Sequence, residues 1–129
     1  MNKIACKTFT AQVTIGLLKG YSNDIIPLKT LKEVLFKAQK VVNLDYNVQL
    51  STKIRLCEIV FLGQEELSVE LEFIQYPKFL QQEKELKKAI ILLAEILMLK
   101  LEQNRVVIVF KDDTIMLEQS DAIDPKIQI

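Results

Sequence analysis

The stretch VQLSTKIRLCEIVFLGQEELSVELEFIQY, residues 48–76, decides the fold. Apolar and polar residues alternate on both sides of the polar group 63–66, and this period of two predicts two long strands. A turn over the four residues 63–66 would join them as an antiparallel hairpin. One face is then apolar and expected to point to the core: Leu50, Ile54, Leu56, Val60, Leu67, Val69, Leu71 and Phe73.

The opposite face of this hairpin carries charged residues of both signs. Lys53 and Arg55 lie on its first strand, with Cys57, and Glu70 and Glu72 lie on its second. Opposite charges that meet across an antiparallel pair stabilise it by about 0.2–1 kcal/mol. We therefore expect salt bridges across the hairpin. The face is either a solvated, salt-bridged surface or a polar binding surface.

Periodic segments flank the hairpin on both sides. A strand is predicted over 8–19, a helix over 27–42, a second helix over 81–103 and a strand over 106–110. Residues 114–118 either continue that last strand past a bulge or turn back as a short hairpin. The order β-α-β-β-α-β resembles the ferredoxin-like arrangement, which implies an α+β two-layer sandwich with an antiparallel sheet and two helices on one face. Right-handed crossovers would place the first and third strands centrally.

The length of 129 residues fits one domain. We assign residues 1–118 to a single α/β domain and 119–129 to a loose or partner-ordered tail. Lys plus Arg and Asp plus Glu number 17 each, which argues against nucleic acid as a partner. The longest apolar run, 89–99, is too short to span a bilayer. We expect a cytoplasmic protein that does not enter a membrane.

The composition also limits the chemistry. Histidine is absent, which removes Ser-His and Cys-His nucleophile pairs and the commonest metal ligand. The two cysteines, Cys6 and Cys57, stand too far apart for a zinc-binding spacing. No glycine-rich phosphate motif occurs. We therefore expect no metal site and no cofactor.

The second predicted helix is apolar around almost its whole circumference between Ala89 and Leu99. A two-layer fold covers only one stripe of a helix, so the pattern indicates either a deeply buried helix or a second covered face. We favour self-association into a dimer or larger homo-oligomer. The expected interface residues are Ile91, Leu92, Glu95, Met98 and Leu99.

Three acidic residues are weak candidates for catalysis. Glu58 breaks the apolar face of its strand. Its neighbours on that face, Leu56, Val60 and Leu62, are expected to point to the core, where burial would raise the pKa of a carboxyl. A bulge, or a strand end that reaches past the helices, explains it equally well. Asp112 and Asp113 pair at a strand end, where acid–base chemistry and ordinary turn formation are both open.

A ligand site is predicted in the glycine-bearing loop before the first helix. Its candidates are Tyr21, Ser22 and Asp24, with Arg55 from the sheet. Helix capping is the alternative for the loop residues.

These patterns favour a non-catalytic homo-oligomeric module that binds a small ligand or a protein partner. The alternative is a small cofactor-free enzyme of isomerase or lyase type, with carboxylates and Lys or Arg at a subunit interface. A structural subunit of a larger assembly is a third hypothesis.

Overall fold

The structure is a computed structural model and describes residues 1–127. It contains five strands and two helices in one sheet-and-helix unit. Their bounds are β1 Thr10–Gly16, α1 Leu28–Tyr46, β2 Lys53–Phe61, β3 Gln64–Ile74, α2 Glu83–Lys100, β4 Arg105–Phe110 and β5 Thr114–Glu118.

The sheet has the order β2-β3-β1-β4-β5, and every neighbouring pair is antiparallel. The first strand is central and the third lies beside it, as the crossover argument predicts. The α+β sandwich of ferredoxin-like type is therefore confirmed. Of the two alternatives for 114–118, the chain takes the hairpin, since Phe110 N donates to Asp113 O at 2.8 Å and β5 returns along β4.

Both helices cover one face of the sheet, and their predicted bounds need small corrections. Helix α1 runs one turn further than predicted and ends where Asn47 adopts a left-handed φ of 54°. Helix α2 is shorter than predicted because Glu102, at φ 53°, turns the chain away. Neither helix within residues 1–127 has the length and apolar composition needed to cross a membrane.

The core lies between the inner sheet face and the two helices. The alternating residues of β1 supply Ala11, Val13 and Ile15, each at most 1% exposed. Burying a side chain of this size contributes about 1.5–3 kcal/mol. Helix α2 buries seven residues against the sheet and α1: Leu86, Ala89, Ile90, Leu93, Ala94, Leu97 and Met98. Burial within a single chain thus accounts for most of its apolar circumference.

The β2–β3 turn has two residues, so the predicted four-residue turn is wrong. Leu62 and Gly63 both take positive φ, 49° and 82°, which matches the right-handed twist of a tight hairpin. The resulting register pairs Lys53 with Glu72 and Arg55 with Glu70, which confirms the predicted meeting of opposite charges.

The tip of this hairpin extends beyond the core. Ile54 is half-buried against it, whereas Leu56, Val60 and Leu62 are 57%, 66% and 63% exposed. The prediction that these three point to the core is therefore wrong. Strand β2 lies at the sheet edge, and alternation along a strand does not determine how far the helix layer covers it. Glu58 is consequently exposed, and the strand end that reaches past the helices explains its place in the pattern.

Candidate functional site

A pocket of about 410 Å³ opens on the sheet face that the helices leave uncovered. Its walls come from β1, β3, β4, the loop after β1 and the C-terminal segment. The residues that matter most for its chemistry are Gly16, Tyr21, Glu66, Gln103, Arg105 and Asp124. Pockets of this size are typical of small-molecule sites.

Glu66 brings a carboxyl group into this pocket beside Gly16. A Cβ atom at position 16 would overlap Glu66 Oε1, so the carboxyl occupies the space that the glycine leaves open. Glu66 is exposed as a whole residue, but its carboxyl lies against Gly16, and its partial burial there raises its pKa. The negative charge of Asp124 raises that pKa further. The pocket therefore holds a carboxylate that lacks adequate compensation for its charge.

The inner wall of the pocket is rigid. Gln103 is 6% exposed, and its Nε2 donates to Leu18 O at 2.7 Å and to Leu101 O at 3.0 Å. These bonds hold its side-chain oxygen 2.8 Å from the Cβ position of Gly16. Buried Ser68 continues the wall along β3 and donates through Oγ to Glu66 O at 3.3 Å. These bonds fix the wall against which the Glu66 carboxyl lies.

A ladder of charges lies further along the same sheet face. Lys53 Nζ is 3.3 Å from Glu72 Oε1, and Arg55 contacts Glu72 at 3.4 Å and Glu70 at 3.7 Å. Glu70 Oε1 is buried and accepts no hydrogen bond. Burial raises the pKa of the Cys57 thiol, Glu70 raises it further and Arg55 lowers it in part. The Cys57 thiol is thus kept protonated and is a poor nucleophile.

The rim of the pocket is built from polar residues that bind the C-terminal segment. Tyr21 Oη donates to Ala122 O at 2.9 Å, and Arg105 Nη2 donates to the same oxygen at 2.8 Å. Arg105 also pairs with Glu118, at 2.5 Å between Nε and Oε2. The positive charge of Arg105 is therefore already neutralised and does not offset the acids inside the pocket.

A larger hollow of about 630 Å³ lies along α1, but it is a shallow groove. Its five lining residues all come from that helix: Leu28, Lys29, Lys32, Glu33 and Phe36. It lacks the convergent polar groups of the pocket on the sheet. Within residues 1–127, no three His, Cys, Asp or Glu side chains come together as a metal site would require.

The predicted ligand-binding residues separate in the structure. Tyr21 and Ser22 line the pocket. Asp24 is used inside its own loop, where its backbone N donates to Ser22 Oγ at 3.1 Å. Arg55 belongs to the charge ladder.

The three acidic candidates for catalysis lie elsewhere. Glu58 is on the exposed hairpin tip. Asp112 is 3.7 Å from Lys87 Nζ, and Asp113 forms the β4–β5 turn. None of the three lines the pocket, and a catalytic role for any of them stays a prediction.

The residues proposed for self-association on α2 do not form one exposed surface. Met98 is buried in the core, Ile91 and Leu92 are half-buried, and Glu95 and Leu99 are exposed. Met98 is covered by its own fold, and its expected place in an interface stays a prediction. Self-association itself stays a prediction.

Sequence reasoning missed Gly16, Glu66, Gln103 and Asp124. A glycine inside a strand is a known sign of close approach by another group, so Gly16 carried a usable signal. Glu66 was assigned to the turn, because the turn was predicted two residues too long. Gln103 and Asp124 carried no pattern in the sequence that distinguishes them from surface residues.

Comparison with known proteins identifies fold relatives only. No protein-family model and no curated protein matches the sequence. Two solved structures of a phage SAM lyase share the fold, each at 15% identity and over 95% of this chain and 98% of theirs. The apo structure has a TM-score of 0.67, and the complex with S-methyl-5'-thioadenosine has 0.63. These matches to a lyase contradict the prediction of a non-catalytic module and favour the alternative, a small enzyme of isomerase or lyase type.

Proposed function

We propose that this chain is a small lyase that cleaves S-adenosylmethionine and releases S-methyl-5'-thioadenosine. The observation that carries the proposal is the Glu66 carboxyl packed against Gly16, in a pocket of about 410 Å³. The pocket belongs to a fold shared along almost the full chain with a lyase that binds this product. The sulfonium of the substrate carries a permanent positive charge, and a partly buried carboxylate is a group that would attract it.

The product defines the bond that breaks. S-Methyl-5'-thioadenosine keeps the methyl and adenosyl groups on sulfur, so the bond from sulfur to the aminocarboxypropyl chain is cleaved. Sulfur takes the electron pair and becomes a neutral thioether. A lyase adds no water, so one of two routes completes the cleavage. Either the fragment's own carboxylate oxygen displaces sulfur and closes a ring, or the carbon next to the breaking bond gives its proton to water as the double bond forms and sulfur leaves.

The pocket suits this change of charge. Ile59 and Val107 supply apolar surface beside the polar residues, and contact of the sulfur with apolar surface favours a reaction in which it loses its positive charge. We assign Glu66 to substrate binding. Burial and Asp124 disfavour the ionised form of its carboxyl, and a bound cation favours that form. Removing Glu66 should therefore raise KM more than it lowers kcat.

A cytoplasmic location and assembly with a second copy complete the proposal. Cys6 and Cys57 are both free thiols, as is usual in a reducing compartment. Exposed apolar side chains at the hairpin tip support contact with another copy.

Calorimetric titration with S-methyl-5'-thioadenosine and with S-adenosylmethionine tests the proposal. We expect both compounds to bind. The Glu66→Gln variant should bind the cationic S-adenosylmethionine about tenfold more weakly, a loss of about 1.4 kcal/mol of binding free energy. The Glu65→Gln variant is the matched control, because that exposed neighbour lies outside the pocket. Absence of binding of both compounds to the unmodified protein would refute the proposal.

A further inference from the structure

The C-terminal residues 119–127 form a strap along the edge of the pocket. Asp124 and Ile127 are half-buried and line the pocket, whereas Asp121, Ile123 and Pro125 are exposed. The strap therefore contributes two of its side chains to the pocket, while the others face solvent.

One backbone oxygen fastens the middle of the strap. Ala122 O accepts hydrogen bonds from Tyr21 Oη at 2.9 Å, Arg105 Nη2 at 2.8 Å and Asn104 Nδ2 at 3.2 Å. The three donors come from the loop after β1, the start of β4 and the residue before it. All three also line the pocket, so the site and the strap are held by the same residues.

Further contacts fix the two ends of the strap. Ser120 Oγ donates to Asn104 Oδ1 at 2.9 Å. Near the other end, Lys126 N donates to Asp124 Oδ1 at 2.9 Å, and Lys126 Nζ contacts Asn23 Oδ1. Such a local turn orients the Asp124 carboxyl. Most of these bonds are exposed to solvent, so the strap can open at small cost compared with unfolding of the core.

The closed strap leaves negative charge at the pocket without a matching cation. Asp124 adds a second carboxylate to that of Glu66, and their mutual effect is visible in the raised pKa of Glu66. Arg105 is paired with Glu118, and Lys126 points to Asn23. A positively charged ligand in the pocket would relieve this repulsion.

We propose that the strap completes the ligand site, and that Asp124 makes the site prefer a cationic ligand over its neutral counterpart. The inference rests on the proposed function and deepens it. It assigns to the strap a specificity-determining residue, and it predicts that the strap closes further against a bound ligand.

The test compares two ligands that the protein cannot cleave as it would its substrate. Sinefungin carries an amine-bearing carbon in place of the sulfonium, and S-adenosylhomocysteine is uncharged at that position. We expect the unmodified protein to prefer sinefungin, and Asp124→Asn to reduce the ratio of the two Kd values by about threefold to fivefold. Asp121→Asn removes the same charge from an exposed position of the strap and should leave the ratio unchanged.

Hydrogen exchange of the full-length protein supplies a second measurement. Saturation with sinefungin should slow exchange in the strap peptides, since closure protects them. If both ligands bind and Asp124→Asn leaves their ratio unaltered, the inference is overturned while the proposed function stands. If neither ligand binds the unmodified protein, both are overturned.

Discussion

The carboxyl group of Glu66 occupies the space that a side chain at Gly16 would fill. The two residues lie on adjacent strands, and a larger residue at position 16 would have to move the Glu66 carboxyl. Gly16 does not have a positive φ, so its requirement is steric rather than conformational. This contact ties the chemistry of the pocket to the register between β1 and β3.

The first prediction concerns Gly16→Ala. The added methyl group should expel the Glu66 carboxyl and crowd Gln103 Oε1, which the helix end holds in place. We expect a loss of stability of about 1–3 kcal/mol together with loss of ligand binding. Urea unfolding and calorimetric titration measure the two effects.

Gly63→Ala is the matched control for that variant. Gly63 has a φ of 82°, and a Cβ there meets open space. It should lose about 1 kcal/mol through backbone strain and keep its affinity for S-methyl-5'-thioadenosine. Equal loss of binding in both variants would contradict the steric argument.

The second prediction is a pH dependence caused by Glu66. Its pKa is raised on folding above the ordinary value of 4.5, so the folded state favours the protonated carboxyl. The stability from this preference is complete below pH 4.5 and is lost as the pH rises through the folded-state pKa. Glu66→Gln should therefore gain in Tm relative to the unmodified protein as the pH increases.

Thermal unfolding of the two proteins between acid and neutral pH measures this difference. Glu65→Gln controls for the loss of an exposed negative charge from the same strand. A difference in Tm that stays constant with pH, or that shrinks as the pH rises, would show that folding does not raise the pKa of Glu66.

The third prediction compares the contributions of Arg55 and Lys53, the two cations of the charge ladder, to stability. Arg55 contacts both Glu70 and Glu72, and Glu70 Oε1 is buried without a hydrogen bond. Arg55→Ala should therefore destabilise the fold by about 1 kcal/mol, at the upper end of the range for partly exposed pairs. Lys53→Ala should have a smaller effect, because Glu72 retains its ion pair with Arg55 in that variant. Urea unfolding would contradict this account if Lys53→Ala were the more harmful change.

The fourth prediction is self-association through the β2–β3 tip. Val60 and Phe61 are exposed there on an edge strand, where apolar surface favours contact with a second copy. Light scattering should find an oligomer at high micromolar concentration, and Val60→Asp should weaken it. Leu99→Asp, on α2, serves as the comparison. A monomeric unmodified protein, or dissociation by Leu99→Asp alone, would contradict this placement.

The fold was predictable wherever one periodic pattern dominated a segment. The alternation through Val13 and Ile15 and the helical spacing of Leu31 and Leu35 each correspond to buried faces. The turn was not predictable at the same level, because the polar residues 63–66 resemble a turn more than Leu62 does. A positive φ at Leu62 follows from the twist of the completed hairpin, which no local pattern reports.

The candidate site was less predictable because its parts come from distant segments. Gly16 and Glu66 meet only through the β1–β3 register, and a turn assigned two residues too long removed Glu66 from its strand. The strap is fastened through the backbone oxygen of Ala122, and a backbone acceptor has no signature in the sequence. The tail was expected to be loose or ordered by a partner, and its mobility in solution stays a prediction.

The central claim is that the pocket around Glu66 cleaves S-adenosylmethionine. Incubation of the purified protein with S-adenosylmethionine, followed by chromatography of the adenosine-containing products, tests it most directly. We predict that S-methyl-5'-thioadenosine accumulates with repeated turnover, and that Glu66→Gln raises KM by about tenfold while Glu65→Gln does not. Substrate that remains intact over many hours, or equal turnover by Glu66→Gln and the unmodified protein at low substrate concentration, would contradict the account.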